Sequence, residues 1–331
     1  MANTTMPDSI PVADHIATNG VLNHHNPHGQ HNHNHNHNHN NTHHHIRPDT
    51  HTFTPNTTTT NATSSPSPDL SPDLDLASLV SALHTKIQSF LSQSFPPETP
   101  LARAQSQTRH SLSIITTALK TYPLPALSLS YNGGKDCLVM LVLFLSSLHP
   151  LPPPSAGGIS RIPAIYALPP DPFPSIEEFV FASSRTYHLD ISKYTTDPPS
   201  STLKSSFEDY LNRNPKVQAI FVGTRRTDPH GANLKDFDRT DRGWPDFVRI
   251  NPVLDWHYAE IWAFIRFLGL RYCSLYDEGY TSLGGTGDTH PNPRLRVGLG
   301  SVDGKDDEEG SQQYRPAYEL TEDLEERLGR A

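Results

Sequence analysis

The fold is decided by the stretch Ala126-Leu-Ser-Leu-Ser-Tyr-Asn-Gly-Gly-Lys-Asp-Cys-Leu-Val-Met-Leu-Val-Leu-Phe-Leu145. It predicts a short buried strand, a tight turn at Gly133 and Gly134, and an apolar helix that starts near Asp136. A glycine turn before a helix presents backbone N–H groups backed by the positive end of the helix dipole. The stretch therefore predicts a loop that binds polyphosphate, although the Gly-Gly-Lys-Asp letters alone also fit an ordinary strand–turn–helix.

The side chains of this loop suit the same ligand. The two glycines let the backbone approach a phosphate and take positive φ, Asn132 and Lys135 add donors, and Asp136 offers a carboxylate to a metal ion. The loop is not a Walker A motif, because Lys135 is followed by Asp136 and the glycine spacing differs. It resembles the pyrophosphate-binding loop of the ATP pyrophosphatase and phosphoadenylyl-sulfate (PAPS) reductase superfamily, usually S-G-G-x-D-S. Asn132 and Cys137 stand where that form has serines.

Residues 1–75 differ in composition from the rest of the chain. They hold 13 of the 20 histidines, with one basic and six acidic residues, so 1 − 6 gives a net charge of −5 out of −9. The alternating His-Asn run from 31 to 40 has no apolar periodicity and cannot form a core. We therefore expect a disordered, low-complexity extension in 1–75 and one folded domain in 76–331. A metal-binding role for the histidines is the alternative.

Several function classes are disfavoured by what the sequence lacks. No apolar run reaches about 18 residues, so no membrane span is expected, and the first 20 residues do not read as a targeting signal. Cys137 and Cys273 are the only cysteines, too few for a disulfide framework or a C-x-x-C site. The mildly acidic remainder argues against a nucleic-acid binder. We expect a cytoplasmic protein, with the nucleus as the alternative.

Strands and helices alternate along the domain. Expected helices are Asp73–Phe95, Leu101–Thr121, Asp136–Leu148, Ser175–His188, Ser201–Arg213 and Trp256–Leu268, and expected strands are Ala126–Ser130, Pro163–Leu168, Leu189–Tyr194, Val217–Val222 and Phe247–Ile250. This order predicts an α/β fold, a mainly parallel twisted sheet with helices on both faces and helical N- and C-terminal additions. A surface insertion is expected at 150–158 and an acidic loop at 303–309. Ligands of such sheets bind beyond the carboxyl ends of the strands, where the loops after Ser130 and Val222 lie.

The second of these loops reads Phe221-Val-Gly-Thr-Arg-Arg-Thr-Asp-Pro229. Gly223 permits a sharp exit from the strand, and Arg225 and Arg226 suit phosphate oxygens because guanidinium binds them bidentately and stays charged. Asp228 would hold an arginine or reach a metal ion, directly or through water. A solvated charged loop is the alternative.

A third block runs from Asp241 to Trp256. Trp244 lies beside Pro245 on a loop, where an indole can stack on a planar ring while Asp241 accepts a hydrogen bond from it. A hydrophobic plug under the loop is the alternative. Asp255 is expected to cap the following helix.

Together these blocks resemble the eukaryotic, fungal-type FAD synthase (FMN adenylyltransferase) family over about residues 76–331. That family shows N-G-G-K-D-C, G-x-R-x-T-D-P, D-x-x-W-P-D, T-S-x-G-G with P-N-P, and a terminal E-R-x-G-R. In this chain T-S-x-G-G is Thr281–Gly285, P-N-P is Pro291–Pro293, and E-R-x-G-R is Glu326–Arg330.

The resemblance implies that ATP and FMN, with Mg²⁺, give FAD and pyrophosphate. It implies that the N–H groups of 132–136 hold pyrophosphate and that Asn132 donates to the reacting phosphate. Asp136 and Asp228 would organise Mg²⁺ or its waters, and Asp241 and Trp244 would hold the flavin. The remaining implied ligand contacts are phosphate contacts of Arg225, Arg226, Arg327 and Arg330 and nucleotide contacts of Ser130, Tyr131, Gly133, Gly134, Lys135 and Gly223. The two C-terminal arginines could instead be solvated ends of an exposed helix.

Two other functions remain as alternatives: another PAPS reductase-like nucleotide-binding enzyme, or a non-catalytic sensor of flavin or nucleotide. A thiol-dependent reductase is disfavoured because no cysteine follows Cys273. No nucleic-acid or membrane partner is expected. The oligomeric state stays open, with a monomer favoured.

Overall fold

The computed structural model of the chain describes residues 74–156, 158–197, 199–297 and 313–331. Its α-helices in these ranges are α1 (Leu76–Ser92), α2 (Pro100–Thr121), α3 (Lys135–Ser147), α4 (Pro174–Thr186), α5 (Leu203–Arg213) and α6 (Tyr258–Phe267). The strands are β1 (Leu127–Ser130), β2 (Ile162–Leu168), β3 (Leu189–Thr195), β4 (Ala219–Phe221), β5 (Phe237–Arg239) and β6 (Val248–Ile250). The extension expected before residue 74 and the acidic loop expected at 303–309 lie outside the described residues.

The strands form one sheet in the order β3-β2-β1-β4-β6-β5. Neighbouring strands are parallel except for β5, which runs antiparallel to β6. At the centre of the sheet, Leu129 of β1 lies opposite Ala164 of β2 and Phe221 of β4. The expected mainly parallel sheet is confirmed. Because β1 and β4 are adjacent and parallel, the loops that follow them open at the same edge.

Alternate residues of the strands enter two different cores, as the pleat requires. Ala164 and Phe221 belong to a large core that includes α3, whereas their neighbours Ile165 and Ile220 belong to a smaller core that includes Phe207 of α5. Both faces of the sheet are therefore covered by helices. Almost all of α3 is buried, which explains its nearly continuous apolar sequence.

The predicted strand positions omitted β5, because three residues reading Phe-Asp-Arg carry no strand pattern. Its pairing with β6 places it at the edge of the sheet, where polar residues are tolerated. Helix α1 is shorter than expected since Asp75 accepts the Ser78 N–H at 2.7 Å and so sets the start. In 313–331 the expected helical addition consists of 3₁₀ turns, at Ala317–Glu319 and Asp323–Glu325. The Pro-rich segment 152–156 is exposed.

Candidate active site

The loop between β1 and α3 turns at Gly133, whose φ is +76°. A Cβ there would lie 2.7 Å from Cγ2 of Val180, so both space and conformation require glycine. Gly134 is the N-cap of α3 with φ −67°. A positive φ was expected at both glycines, and the expectation is wrong for Gly134. The N–H of Gly134 donates to Oδ1 of Asn132 at 3.0 Å. This bond occupies the amide oxygen and leaves Nδ2 as the donor that the side chain can offer to a ligand.

The N-terminus of α3 is further ordered by Tyr276, whose hydroxyl accepts the Lys135 N–H at 3.0 Å. Ser130 and Tyr131 are buried, and the Tyr131 hydroxyl donates to Ser183 at 3.0 Å. Burial raises the pKa of Tyr131 well above its ordinary value. The side chain of Tyr131 is therefore a core group, which leaves only its backbone for the nucleotide contact that the resemblance implies.

Gly223 brings the loop after β4 against the first turn of α3. A Cβ on Gly223 would lie 2.6 Å from Sγ and 2.9 Å from the backbone nitrogen of Cys137. Glycine is needed here for close approach rather than for an unusual φ. The approach places the residues that follow Gly223 next to Asp136.

Four charged side chains form a closed ring at this junction: Asp136, Lys135, Glu326 and Arg225, hereafter the charge ring. Nζ of Lys135 lies 3.1 Å from Oδ2 of Asp136 and donates a hydrogen bond to Oε1 of Glu326. Nε of Arg225 lies 2.9 Å from Oδ1 of Asp136, and its Nη2 donates to Oε2 of Glu326. Each side chain is at most 5% exposed. The ring joins the phosphate loop, the loop after β4 and the C-terminal segment.

Neighbouring opposite charges keep Lys135, Asp136 and Arg225 charged despite their burial. Burial alone would lower the pKa of Lys135, yet the Asp136 and Glu326 carboxylates outweigh it and raise that pKa. Burial opposes ionisation of Asp136, but Arg225 and Lys135 hold its pKa below the ordinary value. The pKa of Arg225 is raised well above its ordinary value, as the nearby carboxylates outweigh its burial. The Asp136 carboxylate is thus ionised in a dry setting, where its field is strong.

Two further carboxylates contact Arg225. Oδ2 of Asp228 accepts the Arg225 backbone N–H at 2.8 Å, and its Oδ1 lies 3.9 Å from Nη2. Burial, together with Asp136 and Glu326, raises the pKa of Asp228 to about 6 despite the pull of Arg225. Oδ1 of Asp323 lies 3.3 Å from Nη1 of Arg225. Arg225 is 0% exposed, so its guanidinium contacts carboxylates rather than a surface open to phosphate.

The expected cap of α6 by Asp255 is wrong. Asp323, distant in sequence, accepts the Tyr258 N–H at 2.7 Å and also contacts Nδ1 of His257 at 2.6 Å. Asp255 instead pairs with Nε of Arg226 at 2.5 Å. Local sequence favoured Asp255, but Glu260 accepts the His257 N–H at 2.9 Å and Asp323 of the C-terminal segment accepts the Tyr258 N–H. Arg226 is exposed and lies outside the charge ring.

The C-terminal segment is fastened by the two motifs that precede it. Thr281 donates its hydroxyl to the Glu326 carbonyl at 2.5 Å. Asn292, fully buried, donates from Nδ2 to the Thr281 hydroxyl at 2.8 Å and to the Glu325 carbonyl at 2.7 Å. Through these bonds, the T-S-x-G-G and P-N-P motifs fix the backbone position of Glu326, the first residue of the E-R-x-G-R motif.

The two C-terminal arginines differ from the expectation of solvated helix ends. Arg330 is 6% exposed at its side chain, and its Nη2 lies 2.7 Å from Oδ2 of Asp288. Its guanidinium occupies the space where a Cβ on Gly284 would be, 2.2 Å from Nη1. Burial lowers the pKa of Arg330. Arg327 is half-buried and its Nη1 donates to Ser282 at 3.4 Å.

Asp241 and Trp244 lie on the loop between β5 and β6. The Trp244 N–H donates to the Asp241 carbonyl at 3.0 Å, and Oδ2 of Asp241 lies 3.6 Å from Nη1 of the buried Arg249. Part of the Trp244 ring packs against the smaller core, near Phe247. The indole is half-buried, so both its stacking role and the plug alternative are compatible with this position.

The sequence interpretation assigned no role to Glu326 and Asp323. Glu326 stands in the quoted E-R-x-G-R motif, of which only the arginines were predicted to contact phosphate. A signal was available, since Lys135 and Arg225 at buried positions require carboxylate partners. Asp228 was expected to hold an arginine or reach a metal ion, and Asp136 was expected to organise Mg²⁺. Two further carboxylates, Glu326 and Asp323, come from the C-terminal segment.

Comparisons with known proteins decide the family. The phosphoadenosine phosphosulfate reductase domain family matches residues 126–291. A probable FAD synthase of Schizosaccharomyces pombe is 40% identical over 75% of this chain and 87% of its own length. The chain belongs to the FAD synthase family. A probable FAD synthase of Caenorhabditis elegans is 34% identical over 66% of this chain but only 39% of its own, greater length. The crystal structure of Candida glabrata FMN adenylyltransferase with FMN and the ATP analog AMPCPP superposes with a TM-score of 0.70 at 30% identity, covering 78% of this chain and 97% of that one.

The two cysteines of the chain are poor nucleophiles because both are buried. Burial raises the pKa of Cys137 to about 12 and that of Cys273 to about 11. A thiolate nucleophile is the reactive form of cysteine, and neither thiol supplies one near neutral pH. Among the described residues no helix is long and apolar enough to cross a membrane.

Proposed function

We propose that this member of the FAD synthase family transfers AMP from ATP to FMN, giving FAD and pyrophosphate. The observation that carries the proposal is the junction of the phosphate loop with the charge ring at the carboxyl edge of the sheet. The Candida glabrata structure binds FMN and an ATP analog, and a second structure of that protein holds FAD and inorganic pyrophosphate. Those ligands are the substrates and products of this reaction.

The reaction needs charge neutralisation more than a base. A phosphate monoester has its second pKa at about 6, so the FMN phosphate is largely ionised at pH 7. The obstacle is the approach of one anion to another. The N–H groups of residues 132–136 and the α3 dipole would hold the leaving pyrophosphate, while Nδ2 of Asn132 donates to the reacting phosphate. In-line positioning by this loop supplies the rest.

Asp136 and Asp228 fit a magnesium site. Mg²⁺ is usually held by one or two carboxylates plus substrate phosphates rather than by a complete protein cage. In the ranges that the structure covers, no group of three or more His, Cys, Asp or Glu side chains could hold a metal, and the buried Asp136–Asp228 pair matches the smaller requirement. When bound, Mg²⁺ would neutralise phosphate charge.

The arginines divide into two groups in this account. Arg225, enclosed by carboxylates, orders Asp136 and Asp228 rather than touching phosphate in the ligand-free protein. Arg327 and Arg330 follow Glu326 and neutralise pyrophosphate charge, for which the Arg330 guanidinium has to leave Asp288. Arg226, exposed and paired with Asp255, is the most peripheral of the proposed phosphate contacts.

Asp241 and Trp244 form the proposed flavin pocket, with the indole stacking on the isoalloxazine and Asp241 accepting a hydrogen bond. We further propose the cytoplasm as the compartment and a monomer as the working form.

Incubation of the purified chain with FMN, ATP and Mg²⁺, followed by chromatography, tests the function. We expect FAD to accumulate and to require all three additions. A protein that binds FMN and ATP yet forms no FAD would instead be a sensor.

A further inference from the structure

Glu326 is a buried carboxylate to which the proposed reaction assigns no task. It is 4% exposed, although Leu324, two positions earlier, is 92% exposed. Burying a carboxylate is costly unless cations and hydrogen bonds compensate it. Glu326 therefore has a specific task in this position.

Its two oxygens divide between two cations. Oε1 accepts from Nζ of Lys135, and Oε2 accepts from Nη2 of Arg225. The same two cations contact the two oxygens of Asp136, at 3.1 Å and 2.9 Å. Each cation is thus shared between Glu326 and Asp136, and the position of Asp136 depends on where Glu326 holds its partners.

The backbone of Glu326 is held as firmly as its side chain. Its carbonyl accepts from Thr281 at 2.5 Å, and Asn292 bonds both Thr281 and the preceding carbonyl. Arg327 follows directly. Docking of this segment therefore places the Glu326 carboxylate in the charge ring and also fixes the backbone position of Arg327.

We propose that Glu326 is a positioning residue for adenylyl transfer: it fixes Asp136 through Lys135 and Arg225, and it ties docking of the C-terminal segment to assembly of the phosphate site. This inference rests on the proposed function. It predicts that Glu326 matters for turnover and not for the flavin pocket, since Asp241 and Trp244 contact none of these groups in the described structure.

The test compares Glu326→Gln, which keeps the shape and removes the charge, with Glu326→Asp, which keeps the charge on a shorter stem. The matched control is Glu325→Gln, since Glu325 lies on the same turn and pairs with the exposed Arg294 at 2.9 Å. For each variant we would measure kcat, the KM for FMN, FMN affinity by fluorescence, and Tm.

We expect kcat per folded molecule to fall roughly 10- to 100-fold in Glu326→Gln, the range seen when residues that orient functional ligands are removed. Glu326→Asp should lose several-fold, less than Glu326→Gln. FMN affinity and the KM for FMN should stay within about twofold, and Glu325→Gln should resemble the wild type. If Glu326→Gln does not fold, the Glu326→Asp result decides.

A wild-type kcat in either folded Glu326 variant would overturn the inference while leaving the function intact. Parallel losses of Tm and FMN affinity, with kcat per folded molecule unchanged, would also overturn it and make Glu326 a purely structural residue. A wild-type protein that forms no FAD would overturn the proposed function and this inference together.

Discussion

Gly223 lies so close to Cys137 that a Cβ on the glycine would be 2.6 Å from the cysteine Sγ. This contact holds the loop after β4 against the N-terminus of α3, and Arg225 reaches Asp136 because of it. Gly223→Ala should force the two elements apart. Overpacking of this kind costs about 1–3 kcal/mol, so we expect a lower Tm together with a lower kcat. Thermal unfolding and steady-state rates would show this, whereas a wild-type Tm would mean that the contact is loose.

Asp136→Ala should remove most turnover, roughly 10²-fold or more, because the buried negative charge proposed to organise Mg²⁺ is lost. FMN binding should survive, since the proposed flavin pocket lies on the β5–β6 loop. The measurements are kcat at saturating Mg²⁺ and FMN affinity by fluorescence. Asp209→Ala is the control, as Asp209 is exposed and pairs with Arg213 within α5. Wild-type rates for Asp136→Ala at saturating Mg²⁺ would refute its metal role.

Trp244→Ala separates stacking from packing. Stacking of a planar ring on an aromatic side chain contributes about 1–3 kcal/mol, so the KM for FMN should rise roughly 5- to 150-fold while the KM for ATP changes little. Equal losses for both substrates with a lowered Tm would favour the plug against Phe247.

Asp241→Ala should weaken FMN and FAD together, because Asp241 is proposed to contact the ring that both share. Relief of product inhibition can then offset part of the lost affinity in steady-state rates, so binding is measured directly by titration of each flavin. Unchanged affinity for both flavins would remove Asp241 from the pocket.

Both thiols should resist alkylation in the folded protein. Their pKa values are raised to about 12 and about 11, so below those values the thiolate fraction is minute, and reactivity rises only as the pH approaches them. We expect no labelling by iodoacetamide at pH 8 and full labelling in denaturant, as read by mass spectrometry. Rapid labelling of Cys137 in the folded protein would contradict this prediction and show that its thiol is reactive.

The sequence was sufficient for the fold because the informative signals are local. The strand–glycine–helix pattern around Gly133 predicts the turn between β1 and α3, and mostly apolar runs mark β2 and α3. Helix ends were misplaced by a few residues where caps such as Asp75 set them. Strand β5 was missed since its existence depends on pairing with β6 rather than on its own three residues.

The site was less accessible to sequence reasoning because its contacts are long-range. Asp136 and Arg225 are 89 positions apart, and Glu326 closes the ring from a further 101 positions away. Residue chemistry predicted that Arg225 contacts phosphate. In the structure its guanidinium is buried and contacts four carboxylates of the protein instead. The cap supplied by Asp323 is likewise invisible in the local sequence around Tyr258.

The central claim is adenylyl transfer to FMN, and following isotopic label through the products tests it most directly. Wild-type protein is incubated with FMN, Mg²⁺ and ATP labelled at either the α- or the γ-phosphate, and the products are separated. The account predicts α-label in FAD and γ-label in pyrophosphate, in equal amounts. Label from the γ-phosphate in inorganic phosphate or on the flavin, or FMN left unchanged while ATP is consumed, would contradict it.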